Sequence, residues 1–313
     1  MVVPLVPPRE AGNRRASRGV TLTRRKSILG GIFVAPALVM LVTFFIIPMF
    51  LLAWMSFHSW PLLGSERLIG LENFEELVTD TSFHEALRFT ALFTLIVTPV
   101  QVIISYVLAV VVRAQLRGAA ILRTVYFIPV VIGGAAASYM FVVMLQPGVG
   151  LLDRILEALG LTNGLSSALT SPTLAVAVVV LIGTWKSVGT GMILFMAGMQ
   201  AVPDELFEAA KVDGAGWLRR EWSIMLPLVK QMSALVLIMT LAGGILTFDQ
   251  FWIMTRGGPH GATVTAVMWM YIVGFVRYRL GYSAAIAIVI VVILVIVSVV
   301  QLRVLRDRDS AIK

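Results

Sequence analysis

The sequence predicts an all-α integral membrane protein of about six transmembrane helices, with both termini in the cytoplasm. Three observations predict it: an apolar composition, runs of membrane-crossing length, and the placement of Lys and Arg. Of the 313 residues, 58% are hydrophobic and only 13% are charged, with a mean hydropathy of +0.92. A soluble domain carries about 25% charged residues to keep its surface wet. Lipid is the solvent that suits this chain.

A helix needs roughly 20 apolar residues to cross about 30 Å of hydrocarbon. Ile28–Phe57, Ala86–Val112, Val125–Leu145, Leu174–Met199 and Ser283–Leu302 meet that length. Leu228–Met254 meets it too, but carries Asp249 near one end. Val264–Val276 is apolar but too short, and is expected as an interfacial or re-entrant helix or as the lead-in to the last span. Continuous runs, rather than short alternating segments, argue against a membrane β-barrel.

Orientation follows from charge, because cytoplasmic connections carry the excess of Lys and Arg. The N-terminal tail holds Arg9, Arg14, Arg15, Arg18, Arg24, Arg25 and Lys26. With six spans, Arg113, Arg117 and Arg123, then Lys211, Arg219, Arg220 and Lys230, and finally Arg303, Arg306, Arg308 and Lys313 fall on that same side. The connection after the first span is acidic instead, with Glu66, Glu72, Glu75, Glu76, Asp80 and Glu85. The net charge of +8 therefore reads as a surface for anionic lipid headgroups rather than for nucleic acid.

Residues 1–27 form a basic tail with the composition of a disordered segment. Thr23-Arg24-Arg25-Lys26 loosely resembles a twin-arginine signal, yet the apolar run that follows is about twice the 7–15 residues of a signal core. An uncleaved first helix is expected. The chain has no cysteine, which removes thiolate catalysis and thiolate metal sites. His58, His84 and His260 are scattered, so no metal site and no catalytic residue is assigned.

One connection, residues 201–227, is more than a loop. Pro203 suits a first helical position, Asp204 and Glu205 complement the positive end of a helix dipole, and Leu206, Ala209, Ala210 and Val212 give a short helix an apolar face. Asp213-Gly214 breaks it, and a second helix starts near Gly216. Such a helix suits either docking into a partner's groove or lying on the membrane surface.

Within it, Glu208-Ala209-Ala210-Lys211-Val212-Asp213-Gly214-Ala215 and Ile224-Met225-Leu226-Pro227 resemble the EAA loop of ABC importer permeases. Glu221 departs from the aromatic residue common in that family, with Trp222 beside it. Gly70-Leu71-Glu72-Asn73-Phe74, Thr255-Arg256-Gly257-Gly258-Pro259 and Gly281-Tyr282-Ser283-Ala284-Ala285 resemble further segments of the maltose-type branch, which handles sugars and glycerol-3-phosphate. The resemblance implies the type I importer permease fold over residues 28–302, in a bacterial or archaeal cytoplasmic membrane. It implies a second homologous permease, a cytoplasmic dimer of ATP-binding subunits holding ATP and Mg, and an extracytoplasmic substrate-binding protein. It also makes Glu208, Ala209, Ala210, Asp213 and Gly214 the residues that couple to the ATPase. No phosphate-binding G-x-x-x-x-G-K-[ST] loop occurs in this chain, so no cofactor is expected within it.

Ionisable residues inside spans are costly and face water or the bundle interior. Lys186, in Gly183-Thr184-Trp185-Lys186-Ser187, and Asp249, in Leu246-Thr247-Phe248-Asp249-Gln250, are the two that stand out. Sugars need hydrogen-bond donors, acceptors and aromatic faces, which both segments offer, and the family resemblance points to the same two places. Lys186, Ser187, Thr190, Thr247, Asp249 and Gln250 are therefore expected to line the substrate pathway. The competing readings are a structural Lys186–Asp249 pair, and Gly189 and Gly191 as packing positions only. The acidic run 66–85 and the Gly257-Gly258-Pro259 turn are expected to face the binding protein. From another class, a stand-alone secondary transporter or channel would show internal repeats, and none is evident.

Overall fold

The computed structural model describes residues 30, 32–61, 63–113, 118–162 and 168–310, with backbone alone from 304. The expected basic tail 1–27 and Arg117 lie outside these residues. Among the described residues five helices are long and apolar enough to cross a membrane, and a sixth crossing exists only as a bent pair.

The chain divides into two units, one ending at Trp54 and the other starting at Met55. The first is carried by α1 (Ile32–Ser56), which passes through one widened turn at Val42–Ile46, where the Ile47 N–H bonds to the Val42 carbonyl. Pro48 follows at once. A proline has no N–H to give the preceding turn and its ring crowds that carbonyl, so a wider turn relieves both.

The second unit opens with a two-stranded antiparallel ribbon, β1 (His58–Ser59) and β2 (Arg67–Leu68), and a short α2 (Glu72–Thr79). Then comes α3 (Thr81–Arg113), which begins ahead of the expected Ala86. The reason is Asp80, whose Oδ1 accepts the N–H groups of Ser82 and Phe83 at 2.9 and 3.1 Å and so caps the helix start.

The expected span Val125–Leu145 is bent. The structure has α4 (Ala119–Val131) and α5 (Gly134–Met144) at 100° to one another. Each half is too short to cross alone. Pro129 removes a helical N–H just before the break, and the Gly133-Gly134 pair that follows lets the backbone turn. After α6 (Leu151–Ala158) runs α7 (Pro172–Gln200), with Pro172 in its first turn.

The segment after α7 folds as α8 (Glu205–Val212) and α9 (Trp217–Arg220), followed by a π turn at Glu221–Met225. It enters α10 (Lys230–Ile245) through Leu226–Leu228. The expected span Leu228–Met254 is present but interrupted, because α11 (Asp249–Met254) starts afresh after residues 246–248. The short apolar stretch becomes α12 (Ala266–Val276) and leads into α13 (Leu280–Ser310). This last helix continues past the expected end at Leu302, into residues expected as a tail.

Small residues set the packing around α3 and α7, as they commonly do between membrane helices. A Cβ on Gly191 would collide with Ser105 Oγ, and one on Gly189 would collide with the Tyr126 carbonyl oxygen. Both glycines are therefore packing positions, Gly191 between α7 and α3 and Gly189 between α7 and α4. Gly244 likewise brings α10 against Thr94, whose side chain would lie 2.9 Å from a Cβ at that position. Between them, Phe93 and Phe251 meet edge to face at 5.0 Å within a buried apolar cluster.

Candidate functional site

The two helix breaks meet at one place. Non-helical backbone at membrane depth is tolerated only where it is buried in protein or lines a wet cavity, and the breaks at 132–133 and 246–248 border a cavity of about 400 Å³. At the second break a freed backbone group finds a side-chain partner, the Thr265 hydroxyl, which donates to the Thr247 carbonyl at 2.9 Å; the next residue, Ala266 at the start of α12, donates its N–H to Thr90 Oγ1 at 2.8 Å.

All six residues expected in the pathway line this cavity: Lys186, Ser187 and Thr190 from α7, and Thr247, Asp249 and Gln250 from the α10–α11 break. Glycines make room for them. The Asp249 carboxylate lies 3.0 Å from where a Cβ on Gly134 would sit, and the Gln250 amide lies 3.1 Å from the same point on Gly183. Asp249 also opens α11 beside the start of α5. Helix N-termini carry partial positive charge, which explains how a carboxylate is accommodated at this depth.

Neither Lys186 nor Asp249 has a salt bridge among the described residues, although both face the same space. The wall thus presents one cation, one anion, three hydroxyls and one amide. Gln101 and Thr240 add further polar groups, and Phe93 and Phe248 add apolar ring surface. Gln101 is absent from the expected set because an uncharged amide in a span costs far less than an ionised group and so gives no comparable signal.

The second expected site is the 201–227 connection. Its first helix stops as a Schellman motif, with the Gly214 N–H bonded to the Lys211 carbonyl at 3.0 Å and the Ala215 N–H to the Ala210 carbonyl at 2.8 Å. Gly214 has φ +75°, the left-handed region that this motif requires and that favours glycine. Pro203 does not open the helix as expected. It precedes the cap residue, Asp204, whose carbonyl accepts the first helical N–H groups.

Glu208, Ala209, Asp213 and Gly214 are exposed and Ala210 is half-buried; no residue of α8 is buried. The motif does not disclose what anchors α8 to the bundle. The Arg113 guanidinium stacks on the Phe207 ring at 4.7 Å and lies 3.7 Å from the Asp204 carboxylate. Glu221, the departure from the family pattern, turns inward and accepts the Tyr106 hydroxyl at 3.2 Å.

The other motif segments form a brace around the ends of α2, α12 and α13. Asp80 Oδ2 accepts the Tyr282 hydroxyl at 2.7 Å and the Trp269 indole N–H at 3.0 Å. Burial raises the Asp80 pKa, but those two bonds and the two backbone N–H groups outweigh it and hold the carboxyl below its ordinary 3.8. Arg279 grips both oxygens of Glu76 at 2.6 and 2.5 Å. Asn73 donates to the Ser56 and His58 carbonyls at 2.8 and 3.1 Å, and Gly281 is required because a Cβ there would collide with the His58 carbonyl oxygen. In the Gly257-Gly258-Pro259 turn, Thr263 donates to the Gly258 carbonyl at 2.7 Å. These residues hold the protein's own elements together.

Comparison with known proteins agrees with this architecture. Residues 92–309 match the model of the family described as binding-protein-dependent transport system inner membrane component. A probable ABC transporter permease, YurN of Bacillus subtilis, is 33% identical over 91% of this chain and 98% of its own length. The multiple sugar-binding transport system permease MsmF of Streptococcus mutans is 32% identical over 88% of this chain and 94% of its own. The sn-glycerol-3-phosphate transport system permease UgpA of Agrobacterium fabrum is 31% identical over 90% and 96%. The fold matches a chain of a bacterial ABC transporter that imports the acidic polysaccharide alginate, with TM-score 0.79 and 20% identity over 93% of this chain and 99% of that one. The chain belongs to the family of inner membrane components of binding-protein-dependent transport systems.

Proposed function

We propose that this chain is one of two permease subunits of an ATP-driven importer, and that the cavity between α7 and the α10–α11 break passes a sugar, as a mono- or oligosaccharide. The observation that carries the reading is a set of groups in one cavity with no side-chain partner among the described residues: a cation, an anion, three hydroxyls and an amide around apolar rings. That surface offers donors and acceptors in near-neutral balance, which suits a polyhydroxylated ligand. MsmF, named for sugar binding, supports it. Glycerol-3-phosphate is the second reading, favoured by Lys186, which has no salt bridge among the described residues, and by UgpA; the facing Asp249 weighs against a dianion.

The chain is not itself an enzyme. Cytoplasmic ATPase subunits hold ATP and Mg and dock on α8, a second homologous permease completes the pathway, and an extracytoplasmic binding protein delivers substrate to the side of the acidic 66–85 connection. Both termini and α8 are cytoplasmic, nucleic acid has no part, and lipid surrounds the spans. Closure of the ATPase dimer moves α8. The motion passes through α9 and the π turn into α10, a rod of about 24 Å at 1.5 Å per residue, whose far end is the break at Thr247 and Asp249. Alternating access then amounts to tilting that break relative to α7.

The test is uptake by the complete transporter in proteoliposomes, with a panel of labelled oligosaccharides and glycerol-3-phosphate. A sugar should be accumulated with ATP. Gly214→Pro or Glu208→Lys should lower that uptake by about tenfold or more while the complex still assembles. Accumulation of glycerol-3-phosphate alone would replace the sugar reading, and normal uptake in both variants would remove α8 from the coupling path.

A further inference from the structure

A second cavity, of about 630 Å³, opens under the α8–α9 segment. Its wall carries Arg113 from the end of α3, Arg123 from α4, Lys211 from α8 and Arg220 from α9, against two carboxylates, Asp204 and Glu221. Both carboxylates are already engaged, Asp204 with Arg113 and Glu221 with Tyr106. Arg123, Lys211 and Arg220 have no salt bridge among the described residues. Arg220 Nε is moreover buried without an acceptor, and a buried N–H without an acceptor is costly unless a ligand supplies one.

Beside this basic cavity the surface turns apolar. Trp217, Leu218 and Trp222 are 59%, 61% and 66% exposed. Tryptophan and basic side chains together mark the headgroup level of a bilayer, and the cavity lies where α3 and α7 end. Guanidinium forks match phosphate oxygens in pairs.

We propose that this cavity binds the phosphate of an anionic phospholipid headgroup, which supplies the acceptor that Arg220 lacks and braces α8 against the ends of α3 and α4. The site rests on the cytoplasmic placement of α8 proposed above. That placement is tested separately, by labelling a Glu208→Cys variant with a membrane-impermeant thiol reagent from either side.

The test of the site is native mass spectrometry of the purified full chain, released from mixed phosphatidylglycerol and phosphatidylcholine micelles. The wild type should retain phosphatidylglycerol in preference. The Arg123→Gln/Arg220→Gln variant should lose that preference by about tenfold, while Arg67→Gln, at the ribbon, keeps it. Excess inorganic phosphate or glycerol phosphate should leave the retained lipid in place. Equal retention of both lipids by the wild type would overturn the proposal, whatever the variants do. So would displacement by the soluble phosphates, which would assign the site to a free anion, or an unchanged preference in a double variant with the wild-type melting temperature.

Discussion

Two aspartates of this chain live in opposite circumstances. Asp80 accepts four hydrogen bonds, from Tyr282, Trp269, Ser82 and Phe83, and its neighbour Glu76 is held by both terminal nitrogens of Arg279. Asp249 accepts none among the described residues, although a cation, hydroxyls and an amide face the same space. In the brace, polar groups satisfy one another and the product is rigidity. In the cavity they are held apart by the scaffold, and their capacity is left for something that enters. A transporter needs both, since a site that must release its ligand cannot be built like a site that holds a fold.

The comparison breaks most visibly at Asp80. Asp80→Ala should destabilise the protein by about 3 kcal/mol, because it leaves an indole N–H, a hydroxyl and a helix start without their charged acceptor. Thermal unfolding in detergent reads this. Because the folded-state pKa of Asp80 is depressed, its contribution is fully present above the ordinary value of 3.8 and is lost as pH falls through the lower folded value. The acid limb of the melting-temperature profile should therefore flatten in Asp80→Asn.

At Asp249 the expectation reverses. Asp249→Asn and Lys186→Met should leave the melting temperature within the scatter of the wild type, because no internal partner is lost. Each should lower transport by about tenfold, the worth of one lost charged hydrogen bond to a ligand. A large loss of stability with unchanged transport would place Asp249 in the scaffold, beside Asp80.

Much of this is legible in the residues, for reasons that differ from place to place. Span lengths follow from hydrophobic runs, so α1, α3 and α7 are readable to within a turn or so, whereas α13 runs on from its expected end at Leu302 to Ser310. Hydrophobic length does not report a bend, and Val125–Leu145 reads as one span although Pro129 and Gly133-Gly134 stand inside it. The cavity charges stand out because an ionised group in an apolar run is too costly to persist without water or a ligand to face. Gln101 and Thr240 do not stand out, since an uncharged polar residue in a span costs far less. The motifs identify the family without disclosing their work: Asn73, Gly281 and Tyr282 turn out to be tie points between elements far apart in the chain. Such contacts cannot be read from spacing.

In the function proposed above, the space between α7 and the α10–α11 break is a water-filled passage whose access changes with the ATPase cycle. The chain has no cysteine, so a thiol placed there is the only one in this chain. A Thr247→Cys variant of the assembled transporter should react with a small membrane-impermeant thiol reagent. Its rate should change when ATP and liganded binding protein drive turnover, and bound sugar should slow it. A thiol at Thr247 that stays unreactive in every state, while a Glu208→Cys control reacts, would contradict the account.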